Sequence, residues 1–330
     1  MSGGVDSTAA ALKLMEQGYA LIGCTFVTRY TLPTSVEAAQ TLTAKLGIEH
    51  HVVDYSDTFE STVVDYFISE YKAGRTPNPC VLCNRLIKFG ALVKEADRLG
   101  CEFIATGHYA RLSNSSFIRV AADATKDQSY FLWQVEPAVL ERVLFPLGEM
   151  TKTEVREYLA EKGFEVLSKQ GESQDICFIL DDYRTFLRER LREQYKEYMS
   201  FTIGQRKGLG VALGYPAFVT SIGSRGMAFP TTEKTVSGVG VEHPHVQGVY
   251  LGHHDDLYST EVQLRDVIFR GDPNQPVMAK IRYRSPATEA TLNFKLSTLN
   301  FKDKIWAPTP GQSCVFYQSD IVVGGGIICL

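Results

Sequence analysis

The string Ser2-Gly3-Gly4-Val5-Asp6-Ser7-Thr8 stands at the head of the 330-residue chain and runs straight into a helix-forming segment. Its glycines allow backbone N–H groups to converge on an anion, Ser2 and Ser7 add hydroxyl donors, and a helix N-terminus adds partial positive charge. Phosphate binding is the chemistry such a loop suits, although two glycines and an N-cap serve a plain turn equally well. The Gly-Lys-Ser/Thr ending is missing, and with it the lysine by which a P-loop reaches terminal phosphates. A second group is Thr76-Pro77-Asn78-Pro79-Cys80 followed by Cys83. Its turn residues predict a loop entering a helix near Asn84, which puts the Cys83 thiol at a helix N-terminus with Arg85 and Lys88 close in sequence. That setting lowers a thiol pKa and favours nucleophilic chemistry. Cys177, between apolar residues, reads on its own as buried and inert. Thirdly, Lys280, Arg282 and Arg284 alternate with Ile281 and Tyr283, so a strand would gather three cations on one face, suited to phosphates or simply to solvent. The Gln205-Arg206-Lys207 loop among glycines adds a second cationic site.

These groups need a scaffold, and the first half of the chain alternates helical and extended patterns. Helix is expected over Thr8–Gln17 up to Gly18, over a segment opened by a Thr34/Glu37 capping box and closed by Gly47, over Thr58–Tyr71, and over Ile87–Leu99 up to Gly100. Strands are expected over Ala20–Val27, Ile48–Tyr55 and Glu102–His108. Strands separated by single helices imply crossover connections and a parallel sheet, at whose C-terminal edge ligands bind; Gly107 and His108 fall there. Thr151 and Glu154 form another capping box, with Val155 and Leu159 facing inward before Gly163. Arg184–Glu197 reads as a charge-dense, solvated helix. Beyond about Phe201 glycine rises and period-two alternation takes over, so that part should be β-rich.

Composition sets the outer bounds. The length suggests about two domains, and 44% hydrophobic against 22% charged residues excludes disorder, collagen and coiled coil as whole-chain descriptions. No apolar run approaches the ~20 residues of a membrane span. Seven cysteines, an odd number in a chain too large to need a disulfide scaffold, point to reduced thiols in the cytoplasm. Cys24, Cys101, Cys314 and Cys329 lie in apolar contexts and read as packing. The formal charge of −4, from 34 Lys+Arg and 38 Asp+Glu, argues against general nucleic-acid stickiness but leaves room for local basic patches.

SGGVDS resembles the PP-loop of the ATP pyrophosphatase superfamily, whose members split ATP between its α and β phosphates to adenylate a substrate. Arg75–Gly90 (RTPNPCVLCNRLIKFG), Ala105–Arg111 (ATGHYAR), Lys126–Trp133 (KDQSYFLW), Ile176–Ile179 (ICFI), Thr202–Gly210 (TIGQRKGLG), Lys280–Arg284 (KIRYR) and Pro310–Tyr317 follow in family order, and the chain is similar over nearly its whole length to the tRNA-specific 2-thiouridylase family. The resemblance implies an α/β fold: a parallel-sheet, Rossmann-like PP-loop domain over 1–188, a small β-rich central domain over 189–255 and a C-terminal β-barrel-like domain over 256–330. It implies ATP at Ser2, Gly3, Gly4, Val5, Asp6 and Ser7, with Gly107 at the nucleotide and Phe26 in the place of an adenine-side methionine. Mg²⁺ is expected on the triphosphate, with Asp6 as an indirect ligand.

The same resemblance assigns the sulfur chemistry. Cys177 matches the residue that carries sulfur as a persulfide and Cys83 the nucleophile that resolves it, leaving a Cys83–Cys177 disulfide for an external reductant. Cys80 stands where some members have an aspartate, and a thiol cannot inherit that residue's acid/base role unchanged. Cys80, Cys83 and Cys177 could together hold an iron–sulfur cluster or zinc, a reading not favoured on a lone CxxC. The His50-His51 and His253-His254 pairs lack ligand spacing, so no protein-held metal is assigned. Asn78, Pro79 and Cys80 match the stretch beside the target base; Lys126, Asp127, Gln128, His108, Arg282, Tyr283 and Gln312 match tRNA-contacting positions. The implied partners are a tRNA with a wobble uridine, a sulfur donor protein (a cysteine desulfurase or persulfide relay) and a reductant, with no membrane. The departures are Met1 abutting the loop, where relatives have a hydrophobic strand, the abrupt link from Tyr198 to Phe201, and a poor match over Ser221–Gly248. The rivals are another PP-loop ligase of amide or argininosuccinate type, and a non-catalytic tRNA-binding or sulfur-carrier protein.

Overall fold

A computed structural model describes residues 1–113, 117–171, 176–179, 181–223 and 241–329, so part of the poorly matching stretch, 224–240, lies outside the described residues. The helices are α1 (Val5–Glu16), α2 (Pro33–Leu46), α3 (Ser56–Phe59), α4 (Asp65–Lys72), α5 (Pro79–Cys83), α6 (Gly90–Leu99), α7 (Pro137–Leu140), α8 (Lys152–Glu161), α9 (Glu165–Ser168) and α10 (Tyr183–Leu191). The chain divides into two compact units. One comprises Met1–Val64, Cys80–Leu180 and Asp320–Val322; the other comprises Asp65–Pro79, Asp181–Ser319 and Val323–Leu330.

In the first unit, β1 (Ile22–Val27) pairs in parallel with β2 (Glu49–Asp54), and β3 (Ile104–Ala105) in parallel with β6 (Val143–Leu144). The parallel crossover topology is therefore present, in two pairs that share no ladder among the described residues. Met1 lies against β1: its carbonyl accepts from Thr25 Oγ1 at 2.6 Å. The core joins Val5, Ala9 and Ala10 of α1 to Val155 and Leu159 of α8, with Tyr109 and Leu147. Small alanines let the two helices approach closely, and deleting a large partner such as Leu159 would cost about 2–5 kcal/mol. The Thr151/Glu154 capping box forms as expected. The Thr34/Glu37 box does not: Pro33 takes the first helical position with Leu32 as N-cap, so Thr34 already lies inside the helix. Gly47 and Gly100 close their helices at φ +68° and +69°, as the sequence predicts. A hairpin of β4 (Arg111–Leu112) and β5 (Ile118–Arg119) continues onto Ile321, and Arg119 bonds Asp320 at 2.6 Å.

The second unit is β-rich, as read. β7 (Phe218–Ile222), β8 (Val241–Glu242) and β9 (Val249–Gly252) form a small antiparallel sheet in the order β7-β9-β8. Its core gathers Phe201, Ile203, Leu209, Val219, Val249 and Leu251. β10 (Tyr258–Phe269), β11 (Val277–Lys280), β12 (Thr288–Asn293), β13 (Thr298–Trp306), β14 (Ser313–Gln318) and β15 (Ile321–Cys329) run in the order β10-β13-β12-β11-β14-β15, and β10–β15 pairing closes a six-stranded barrel. Closure removes exposed edges. Two expectations need correction. The charge-dense helix stops at Leu191, because Arg192 turns to φ +49° and the chain continues as a 3₁₀ turn and an extended residue, while Leu187 and Leu191 are buried. β11 ends at Lys280, and the following residues to Ser285 turn away instead of alternating.

Candidate active site

The glycine loop turns tightly into the N-terminus of α1. Gly3 sits at φ +74°, and a Cβ there would come within 2.9 Å of Ala38 Cβ, so only glycine fits. Gly4 is the N-cap of α1 and no side chain caps the helix, which leaves its first N–H groups without a side-chain acceptor. Ser2 Oγ and Ser7 Oγ stand 3.0 Å apart, and Ser7 Oγ donates to the Gly4 carbonyl at 3.2 Å. Hydroxyl donors, helix dipole and amides thus converge at one place.

Three residues distant in sequence complete this loop. A Cβ on Gly107 would meet the Asp6 carbonyl carbon at 2.8 Å, so the backbone of the ATGHYAR segment rests directly on the loop. Asp6 Oδ1 accepts from the Tyr109 hydroxyl at 2.8 Å and from Lys152 Nζ at 2.6 Å. Burial and the Asp6 carboxylate together push the Tyr109 hydroxyl far above its ordinary pKa, so it stays a proton donor. Lys152 is the residue that sequence reasoning missed. It places a cation beside a loop whose own sequence lacks one, and only 15% of its side chain is exposed. The one sequence signal was the capping box, which fixes the first turn of α8 and so aims Lys152. Phe26 lies on β1 with its ring 4.8 Å from that of Tyr55.

The thiols depart from the sequence reading. Helix begins at Pro79, not near Asn84, so Cys83 ends α5 and leads into a π-helical turn over Asn84–Phe89. Cys83 is buried, and burial pushes its thiol up to about 12, outweighing the downward pull of Lys88. The expected low-pKa thiol at a helix N-terminus is therefore not what the fold supplies, because desolvation of a thiolate costs more than one exposed lysine returns. The charges of Cys177 and Cys80 add to the upward push on Cys83, so the three thiols are within electrostatic reach. Cys177 is exposed, against its solitary reading as a buried residue, although enough protein surrounds it for desolvation to raise its thiol while Lys88 lowers it. Both are free thiols. Among the described residues no group of three His, Cys, Asp or Glu side chains is arranged to hold a metal ion. π turns are uncommon, and the chain has another over Glu60–Val64. In the turn after Cys83, Asn84 is anchored through Nδ2 to the Phe131 carbonyl at 3.1 Å.

The residues that the resemblance assigns to RNA contacts make bonds within the protein itself. β3 ends at Ala105, so His108 lies three residues past the strand; it is buried, its ring is 5.6 Å from that of Phe89, and burial holds it neutral. Asp127 is buried and accepts from the Ala121 and Ser129 amides, while Gln128 Oε1 accepts from the Tyr109 amide at 3.0 Å. Lys126 beside them is half-buried. Arg282 does not share a strand face with Lys280 and Arg284: its guanidinium turns inward to the Ile203 and Ala307 carbonyls at 3.1 and 2.9 Å, and Tyr283 follows in a turn. Gln312 Nε2 donates to the Thr76 carbonyl at 2.8 Å. Asn78 is half-buried and Pro79 buried.

Comparison with known proteins adds homology to this geometry. Residues 1–181 match a family profile described as the tRNA methyl transferase HUP domain, and residues 259–328 match the aminomethyltransferase β-barrel domain. The chain is 42% identical to "tRNA-specific 2-thiouridylase MnmA 3" of Bacteroides fragilis, over 99% of this chain and 92% of that protein. It is 38% identical to tRNA-specific 2-thiouridylase MnmA of Amoebophilus asiaticus, over 99% and 93% of the two chains. It is also 38% identical to the MnmA of Moorella thermoacetica, over 99% and 98%.

Proposed function

The chain belongs to the tRNA-specific 2-thiouridylase family, and from that premise we propose that it replaces the C2 oxygen of a tRNA wobble uridine by sulfur at the expense of ATP. In this reading ATP lies with its phosphates on Ser2–Ser7, Gly107 lies at the nucleotide and Phe26 meets the adenine. The uridine C2 oxygen attacks the α phosphorus, pyrophosphate leaves, and the oxygen becomes part of a good leaving group, AMP. A persulfide on Cys177 supplies sulfur by one of two routes: its outer sulfur attacks C2, AMP leaves, and Cys83 then attacks Cys177 Sγ to break the S–S bond and free the thiouridine; or Cys83 attacks the inner sulfur first, and the hydrosulfide released attacks C2 and expels AMP. Both routes expel AMP and leave a Cys83–Cys177 disulfide, which a two-electron reductant reopens. The exposure of Cys177 suits loading by a donor protein, and the burial of Cys83 suits a thiol that must not react with bulk oxidants.

The observation that carries most weight is the loop itself: an uncapped helix N-terminus backed by Gly107 and supplied with a distant cation, Lys152. Mg²⁺ fits as an ion carried by the triphosphate, neutralising its charge, because Asp6 Oδ1 already accepts from Tyr109 and Lys152. Asn78, Pro79 and Cys80 form the wall beside the base, which must leave its stack to be reached. No helix among the described residues is long and apolar enough to cross a membrane, and the seven free thiols fit a cytoplasmic location. The two rival classes separate cleanly: an amide-type ligase needs ATP but neither cysteine, and a sulfur carrier consumes no ATP. Protein, ATP, a persulfide donor and unmodified tRNA should yield pyrophosphate and an oxygen-to-sulfur exchange detectable by mass spectrometry of the nucleosides. Sulfur transfer by Cys177→Ala at the wild-type rate would overturn the mechanism.

A further inference from the structure

The segment Arg75–Pro79 carries two of the residues assigned above to the target base, yet contains no regular structure before Pro79. Within its own unit it is held at three points. The Thr76 amide donates to the Pro310 carbonyl at 2.8 Å. Gln312 Nε2 returns the bond to the Thr76 carbonyl at 2.8 Å and reaches Pro77 at 3.5 Å, so one residue of the segment is paired on both sides as in a strand ladder. Gly311, at φ +90°, lies so close that a Cβ would come within 2.9 Å of the Thr76 carbonyl oxygen. The loop making these contacts, which leads into β14, is itself tied to the neighbouring strand β15, since the Gly311 amide donates to the Ile328 carbonyl and the Ile328 amide to the Gln312 carbonyl.

The third point is a buried charge. Glu70, with 5% of its side chain exposed, takes Arg75 in a two-pronged bond, Nε to Oε2 at 2.8 Å and Nη2 to Oε1 at 2.6 Å. Arg265 of β10 closes on the same carboxylate at 2.9 Å. A carboxylate this deeply buried is stable only when its charge is met, and two guanidinium groups in fork geometry fix direction as well as charge. Barrel, Glu70 and Arg75 therefore form one continuous clamp on the backbone leading to Asn78.

We propose that Gln312 and Arg265 are positioning residues: through Thr76 and through Glu70–Arg75 they lock Arg75–Pro79 to the barrel, so that Asn78 and Pro79 stand ready for the flipped uridine before tRNA arrives. The role of the clamp rests on the functional reading above, whereas its existence does not. Gln312 then serves the reaction from the protein side, as a fastening of the base-binding loop.

The test combines amide hydrogen exchange of the free protein with tRNA thiolation kinetics, on Gln312→Met and Arg265→Met. Exchange at Arg75–Pro79 should rise at least about ten-fold while other barrel amides hold, the single-turnover rate at saturating tRNA should fall at least about ten-fold, and the tRNA Kd should stay within about two-fold. A Gln312→Met protein that loses tRNA affinity ten-fold with unchanged exchange at Thr76 would make Gln312 an RNA contact and overturn the proposal. Exchange rising evenly over the whole barrel would reduce both residues to general stability and overturn it equally. If wild-type protein thiolates no tRNA, the functional reading fails, while the exchange data, which need neither tRNA nor ATP, still decide the clamp.

Discussion

Cys83 should be a sluggish nucleophile in the free protein, because its thiol is held up to about 12 by burial instead of at the ordinary 9.0. At pH 8 the thiolate fraction of an ordinary thiol is about one in ten, and that of Cys83 is about one in ten thousand, a roughly thousand-fold deficit. A more basic thiolate is intrinsically more nucleophilic, and a Brønsted slope of about 0.4–0.5 over three pKa units returns roughly twenty- to thirty-fold. Cys83 should therefore react with a small haloacetamide at least about thirty-fold slower than a free thiol at pH 8, and burial can only slow it further. The rate should climb ten-fold per pH unit without a plateau up to about pH 11. Peptide mass spectrometry, with Cys83→Ala as a blank, resolves this thiol from exposed Cys177. Lys88→Met should slow both thiols, since Lys88 is the cation pulling each downward. The same shift has a stability consequence of definite sign: a raised folded pKa contributes stability fully present below about pH 9 and lost as pH rises toward 12. A rate plateau below pH 8 would mean that Cys83 is an activated thiol, as its sequence neighbours alone suggest, and not one held up by burial.

Gly107→Ala forces a Cβ to 2.8 Å from the Asp6 backbone, and overpacking of this kind costs about 1–3 kcal/mol. If that cost falls on the binding-competent loop, the ATP Kd should weaken roughly 5- to 150-fold by calorimetry, while Gly171→Ala, which meets nothing within 4 Å, should bind as wild type. Lys152→Met removes the cation beside Asp6 and should weaken ATP binding about ten-fold with little change in melting temperature; unchanged affinity would exclude Lys152 from the phosphate site. Thr151→Ala breaks the capping box that aims α8 and should cost about 1 kcal/mol in denaturant unfolding. Arg282→Met leaves the Ile203 and Ala307 carbonyls without their guanidinium donor, so it should lower stability by about 1–3 kcal/mol; weaker tRNA binding with no stability loss would contradict the inward placement of that side chain.

Patterns confined to neighbouring residues were legible without coordinates. The glycine loop before α1, the stops at Gly47 and Gly100, the capping box of α8, the parallel order of the first half and the β character of the second all follow from contacts a few residues long. Two errors share a cause. The basic alternation after Lys280 and the charge-dense helix after Leu191 looked periodic, but each was broken where long-range bonds or a positive φ offered a better use for the backbone.

Residue types and their spacing name the chemical groups at hand: a glycine loop suited to an anion, the cysteines proposed above for sulfur transfer and a proline-rich approach to one of them. Their states depend on the fold. It brought Lys152 to Asp6 across 146 positions, buried Cys83 while exposing Cys177, and turned Gln312 onto Thr76 across 236. The physical reason is that spacing along a chain fixes which faces neighbours share, whereas desolvation and charge pairing depend on everything that packs around a group, and those surroundings arrive from segments that no local pattern connects.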